Sequence, residues 1–99
     1  MLIVHVTARI TPEALESLRD TATRMVAATT AEPGCITYAF TFDILTPGLM
    51  RIVEAWQDEA ALAAHFKTPH MAEFQAAIHG KIEILTAEKY LTDGPRPLF

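Results

Sequence analysis

CITYAFTFDILTPGLMRIVEAWQ, the segment from Cys35 to Gln57, holds two strands and the turn between them. From Cys35 to Ile44 the residues alternate: Ile36, Tyr38, Phe40, Phe42 and Ile44 share one face, and Cys35, Thr37, Ala39 and Thr41 the other. Period two with aromatic and β-branched side chains predicts a strand. In Thr46-Pro47-Gly48, proline sets one central φ of a turn and glycine accepts the positive one. Leu49 to Gln57 returns as the partner strand of an antiparallel hairpin. Its faces are Leu49, Arg51, Val53, Ala55 and Met50, Ile52, Glu54, Trp56.

Upstream, Leu2 to Ile10 alternates in the same way and predicts a first strand. Thr11-Pro12-Glu13 then supplies a cap, a proline suited to the first helical position and an acid at the positive dipole end. Leu15, Leu18, Ala22, Met25 and Val26 form the apolar face of the helix, which Glu32-Pro33-Gly34 ends. Downstream, Asp58 caps a short helix reaching about Phe66, with Leu62, His65 and Phe66 as its buried stripe. Thr68-Pro69 restarts a helix carrying Met71, Phe74 and Ile78. A last strand is predicted over Ile84 to Leu91, with Lys81 to Ile84 readable as strand or helix. The order βαββαβ predicts an α+β, ferredoxin-like domain over residues 1–92, with helices on one face of a four-stranded antiparallel sheet. Asp93 to Phe99 reads as a C-terminal tail.

Both faces of the first three strands carry apolar residues, whereas a solvated face would alternate with charge. With 51% of the residues hydrophobic and 20% charged, a chain this small predicts a second subunit over the open face. The expected assembly is a homodimer, a dimeric α/β barrel. A net charge of −4 with eight scattered Lys and Arg residues argues against nucleic acid as a partner. The single cysteine, Cys35, excludes an internal disulfide and suits a reducing cytoplasm. The N-terminal residues lack the pattern of a signal peptide, and no apolar run approaches the roughly 20 residues of a membrane span. A cytoplasmic protein is expected.

Glu54 is a carboxylate on a central strand, uncommon in a core unless paired. Trp56 beside it needs an acceptor for its indole N–H. His65 interrupts an apolar stripe and should point between helix and sheet, as a general base or as a core histidine bonded to a backbone carbonyl. His70 is expected in solvent, His79 near a helix end, and His5 on the strand face toward a dimer interface. His65 and His70 are five residues apart with Pro69 between, and no acidic residue stands at a spacing that completes a ligand set. No metal site is predicted. No G-x-G-x-x-G or phosphate-loop motif implies a nucleotide or flavin, so no cofactor is predicted.

Glu32-Pro33-Gly34-Cys35-Ile36-Thr37-Tyr38, Glu54-Ala55-Trp56-Gln57-Asp58 and His65-Phe66-Lys67-Thr68-Pro69-His70-Met71, with Phe74, resemble the antibiotic biosynthesis monooxygenase domain over roughly Met1 to Leu91. The resemblance implies a cofactor-free monooxygenase acting with O2 on an electron-rich aromatic such as a quinol or anthrone. Behind this first reading it also admits an isomerase of a small polar or phosphorylated metabolite, with Arg51 and Lys67 as the only nearby candidate cations, or a non-enzymatic dimer that binds a small molecule. In the oxygenase reading His65 is the candidate base, and Tyr38 or Trp56 the donor that holds an oxyanion. Glu54, Phe40, Phe66, Met71 and Phe74 are the candidate substrate-binding residues. The haem-degrading branch carries an axial histidine on the later helix, where Glu73-Phe74-Gln75-Ala76 offers none.

Overall fold

Thr11 ends the first strand because its hydroxyl accepts from the Ala14 amide at 3.1 Å, and Pro12 turns the chain into a 19-residue helix. In the computed structural model, which describes residues 1–99, seven elements follow in order. They are β1 (Leu2–Ile10), α1 (Pro12–Thr30), β2 (Cys35–Phe42), β3 (Leu49–Trp56), α2 (Glu59–His65), α3 (Pro69–Ile78) and β4 (Ile82–Leu91). The strands form one antiparallel sheet in the order β2-β3-β1-β4. This is the α+β, ferredoxin-like arrangement expected from the pattern of elements. No helix is long and apolar enough to cross a membrane.

Register decides which side chains meet the helices. Tyr38 stands opposite Glu54, Glu54 opposite Val4, and Val4 opposite Lys89. The next row is Phe40, Ile52, Val6 and Ala87. The faces of β2 and β3 that carry Tyr38 and Glu54 therefore coincide, and both lie on the core side with Leu2, Ala8, Met50 and Trp56. Leu18 and Met25 of α1, Leu62 of α2 and Phe74 of α3 close this core from above.

Three local departures have physical causes. A bulge between Cys35 and Thr37 breaks the alternation, so Ile36 is exposed instead of sharing the Tyr38 face. The strand stops at Phe42 because the Asp43 carboxylate accepts from the amides of Leu45 and Thr46 at 2.8 and 3.0 Å, which curls the chain and leaves Ile44 in solvent. The last strand begins at Ile82, paired with Ile10, two residues earlier than the Ile84 expected. β4 is largely exposed along its whole length, and Leu98 and Phe99 of the tail are exposed as well.

Gly34, between α1 and β2, lies against α2. Its φ is +84°, and a β-carbon there would stand 2.6 Å from the Ala61 β-carbon. A Gly34→Ala variant is therefore expected to lose more than about 1 kcal/mol of stability in urea denaturation, through left-handed strain and displacement of α2. A loss indistinguishable from zero would mean that α2 shifts freely and that this contact is not a constraint.

Candidate functional site

Alternation along β3 places Glu54 and Trp56 on the helical side, with exposures of 7% and 0%. The Trp56 Nε1–H donates to Glu54 Oε1 at 2.8 Å. Each group thereby satisfies the other, and no buried side-chain polar atom is left without a partner. Burial pushes the Glu54 carboxyl above its usual range; the Trp56 bond and His65 oppose this, and the Glu32 charge adds to it.

α2 is capped by Asp58, whose carboxylate accepts from the Ala61 amide at 2.9 Å. Seven residues later it ends on His65, on the same helical side as Leu62, and both are buried. The His65 ring lies over Trp56 and Tyr38, with centroids 4.9 and 5.5 Å away. Its carbonyl accepts from the Thr68 hydroxyl at 2.8 Å, and the same hydroxyl accepts from the Met71 amide at 3.3 Å to cap α3. Thr68 thus fixes the corner between the two helices. That corner swings His70 back toward His65, to a centroid distance of 6.2 Å.

Glu32 closes the group. It sits just after α1, where its amide donates to the Thr29 carbonyl at 3.0 Å and its carbonyl accepts from the Cys35 amide at 3.2 Å. One carboxylate oxygen, Oε2, takes His65 Nδ1 at 2.7 Å and His70 Nε2 at 2.8 Å. A carboxylate oxygen only accepts, so these ring nitrogens carry the hydrogens. The far nitrogen of neutral His65, Nε2, is then the basic one. This is the carboxylate–imidazole arrangement that fixes the tautomer and orientation of a general base.

Tyr38 faces this pair across β2. Its hydroxyl takes part in none of the bonds that join Glu32, Glu54, Trp56 and the two histidines. Burial, followed by the charges of Glu54 and Glu32, drives its pKa far above the usual phenol range, so it stays a donor. Phe40 is the partition. Its ring lies 5.6 Å from Tyr38 on one side and 5.4 Å from Phe74 on the other. Beyond it, between α1 and the sheet, is an apolar cavity of about 510 Å³ whose walls include Leu18, Ala22, Phe40, Met50 and Phe74. The cavity does not reach His65. The site has an apolar half and a polar half that meet at Phe40.

The register, which strand parity alone left open, gathers Tyr38, Trp56 and Glu54 with His65, and sets Phe40 and Phe74 in the cavity wall. Four expectations need correction. Trp56 is not free to hold an oxyanion, because its N–H is committed to Glu54. Phe66 caps α2, is 56% exposed instead of buried, and stands outside the apolar cavity wall, with its ring 5.7 Å from that of His65. Met71 packs partly buried against the core and is absent from the cavity wall. His70 is held by Glu32 instead of standing in solvent, and Glu32 is the acidic partner that the local spacing concealed. Glu32 was visible only within the Glu-Pro-Gly motif, whose helix-stop role accounts for its position but not its side chain.

Residues 1–77 match the antibiotic biosynthesis monooxygenase family. The chain belongs to that family. Among curated proteins it is 28% identical over 75 residues to the Escherichia coli protein named probable quinol monooxygenase YgiN, covering 68% of this chain and 72% of that one. It is also 30% identical over 73 residues to an uncharacterized Synechocystis protein, of whose length the chain spans 50%. A Deinococcus radiodurans structure, described as a candidate antibiotic biosynthesis monooxygenase, superposes with a TM-score of 0.88 at 25% identity, over 100% of this chain and 99% of that one. A conserved Bacteroides thetaiotaomicron protein of unknown function gives 0.80 at 29% identity, over 90% and 94%. The family match and the structural neighbours thus agree on the family and the fold.

The buried Glu54 makes a pH prediction for this family member. Its folded-state carboxyl holds a proton more tightly than an unfolded one, so stability falls as pH rises through the window above the ordinary 4.5. Glu54→Gln keeps an acceptor for Trp56 and cannot ionise. Urea denaturation followed by fluorescence of Trp56, the only tryptophan, should show the wild type losing stability relative to the variant as pH rises above 4.5. Parallel pH dependences would show that Glu54 does not bind its proton more tightly when folded.

Proposed function

We propose that this protein is a cofactor-independent monooxygenase that oxidises an electron-rich aromatic, quinol- or anthrone-like, with O2. The observation that carries the reading is the Glu32–His65 pair, buried against Tyr38 and set one phenylalanine away from an apolar cavity. Ground-state O2 is a triplet and reacts slowly with closed-shell organic molecules. Without flavin or metal the substrate must itself supply the electron, and deprotonation makes that far easier.

In this reading the ring system fills the apolar half, and Phe40 swings to let its acidic position approach His65. Nε2 of His65 takes the proton, Glu32 stabilises the imidazolium that forms, and the Tyr38 O–H bonds to the substrate oxyanion. The anion passes one electron to O2, and the resulting radical and superoxide combine through a new C–O bond. Loss of water from the hydroperoxide leaves a carbonyl, so that an anthrone-type CH2 and O2 become C=O and H2O. The isomerase reading finds less support: Arg51 is engaged by Asp43 at 2.9 Å, on the sheet face away from His65.

The open face of the sheet carries Ile3, Val53, Ala39 and Tyr90 among threonines, and a second copy is the proposed cover, giving a cytoplasmic homodimer. Sedimentation at micromolar concentration should give the dimer mass, and Val53→Glu should give the monomer. A wild type that sediments as a monomer would remove this assembly.

Oxygen uptake on a panel of naphthoquinols and hydroxyanthrones tests the chemistry. The protein should exceed the autoxidation blank, with His65→Ala lowering the rate by roughly 10²–10⁴-fold and Glu32→Gln by a smaller factor. Uptake equal to the blank across the panel, or unchanged in His65→Ala, would overturn the reading.

A further inference from the structure

Glu32, His65 and His70 come from three segments of the chain, yet one oxygen and two ring nitrogens lie within 4.8 Å of one another. We propose that these three atoms, Glu32 Oε2, His65 Nδ1 and His70 Nε2, form a binding site for one first-row divalent transition-metal ion. Two imidazoles and a carboxylate are a donor set for Zn2+, Co2+ or Fe2+, and a poor one for Mg2+ or Ca2+, which favour oxygen alone.

The oxygen-to-nitrogen spacing already fits, and the two ring nitrogens, within 4.8 Å of one another, would close toward a shared ion. Metal–ligand bonds of about 2.1 Å at right angles put neighbouring donors about 3 Å apart. The carboxylate oxygen already stands 2.7 and 2.8 Å from the two nitrogens. The surroundings suit a cation as well. Glu54 adds a second, buried carboxyl group, bonded to the Trp56 indole against which the His65 ring packs. Exposure rises across the set, with side chains 1% exposed at His65, 11% at Glu32 and 21% at His70. An ion would thus be anchored on the buried side and reached from the His70 side, where water or another ligand completes its shell. The frame is rigid, since Thr68 fixes the helix corner and backbone bonds fix Glu32.

Binding relocates two hydrogens. With Nδ1 of His65 and Nε2 of His70 on the metal, each neutral ring carries its hydrogen on the other nitrogen. His65 Nε2 then donates and no longer accepts, so the ion converts a base into a bystander. That consequence for activity rests on the oxygenase reading; the binding itself does not.

Calorimetric titration of the full chain with ZnCl2 tests the site, with MgCl2 as the contrasting ion. One Zn2+ per chain is expected, with little heat from Mg2+. His70→Gln can still donate to Glu32 but offers no imidazole, so it should weaken Zn2+ binding by at least about tenfold while melting like the wild type. Exposed His79, changed to Ala, should leave binding unaltered. Long-range 15N–1H spectra should show the His65 hydrogen moving from Nδ1 to Nε2 on adding Zn2+. Equal affinity in wild type and His70→Gln, or an unchanged His65 tautomer at saturation, would overturn the proposal. Zinc binding with no oxygen uptake by the metal-free protein would leave the site standing and remove the oxygenase instead.

Discussion

One carboxylate oxygen accepting from two imidazoles is the joint on which the helical layer turns. Glu32 Oε2 ties the segment after α1 to the end of α2 and the start of α3, across 33 and 38 residues of sequence. Hydrogen bonds to a charged group each contribute about 1.5–3 kcal/mol, and the cost of losing one is larger where the abandoned donor is buried. His65 is such a donor. Without Glu32 its ring would keep its place between Trp56 and Tyr38 with nothing to accept from Nδ1.

The same joint divides the space under the helices. On its side the walls are polar or polarisable: Tyr38, Glu54, Trp56 and the two histidines. On the other side of Phe40 they are aliphatic and aromatic, with α1 as the roof. The register makes this division, because the row that ends in Tyr38 contains Glu54, whereas the next row contains Phe40, Ile52, Val6 and Ala87. Moving one row along the sheet exchanges a carboxylate for an isoleucine. The polar wall beside His65 and the apolar cavity wall are thereby built on the same two strands, two residues apart on each.

Most of the fold was legible because strand parity and helix period are local. The core face of β3, the caps at Thr11, Asp58 and Thr68, and the break at Pro69 all follow from neighbours in sequence. Ile36 and Ile44 were misplaced where a bulge and an aspartate turn interrupt the alternation, events that a period-two pattern cannot announce. Phe66 was misplaced because at a helix end the apolar stripe has one residue too many, and His65 takes the buried position. The site was legible in half. Face assignments mark His65, Tyr38 and Glu54 one by one, but only the register brings Tyr38 and Glu54 together, and Glu32 and His70 are joined by a tertiary contact. Pro69, which on spacing seemed to separate the two histidines, is the first residue of α3, placed just after the corner at Thr68 that brings them together.

The donors that orient a base are those that bind a metal, and the difference is where two hydrogens sit. With hydrogens on His65 Nδ1 and His70 Nε2, the carboxylate is satisfied by the protein and the basic nitrogen of His65 points away from it. With a cation between them, the hydrogens lie on the outer nitrogens and the base is lost. A carboxylate–imidazole pair with one imidazole avoids this exchange, because two ligands hold an ion weakly. The second histidine adds the third ligand, and base catalysis gives no reason for it: His65 is already oriented by Glu32 alone. His70 therefore has to be explained by what it does to Glu32, and its part exposure places it where an ion or a proton would enter.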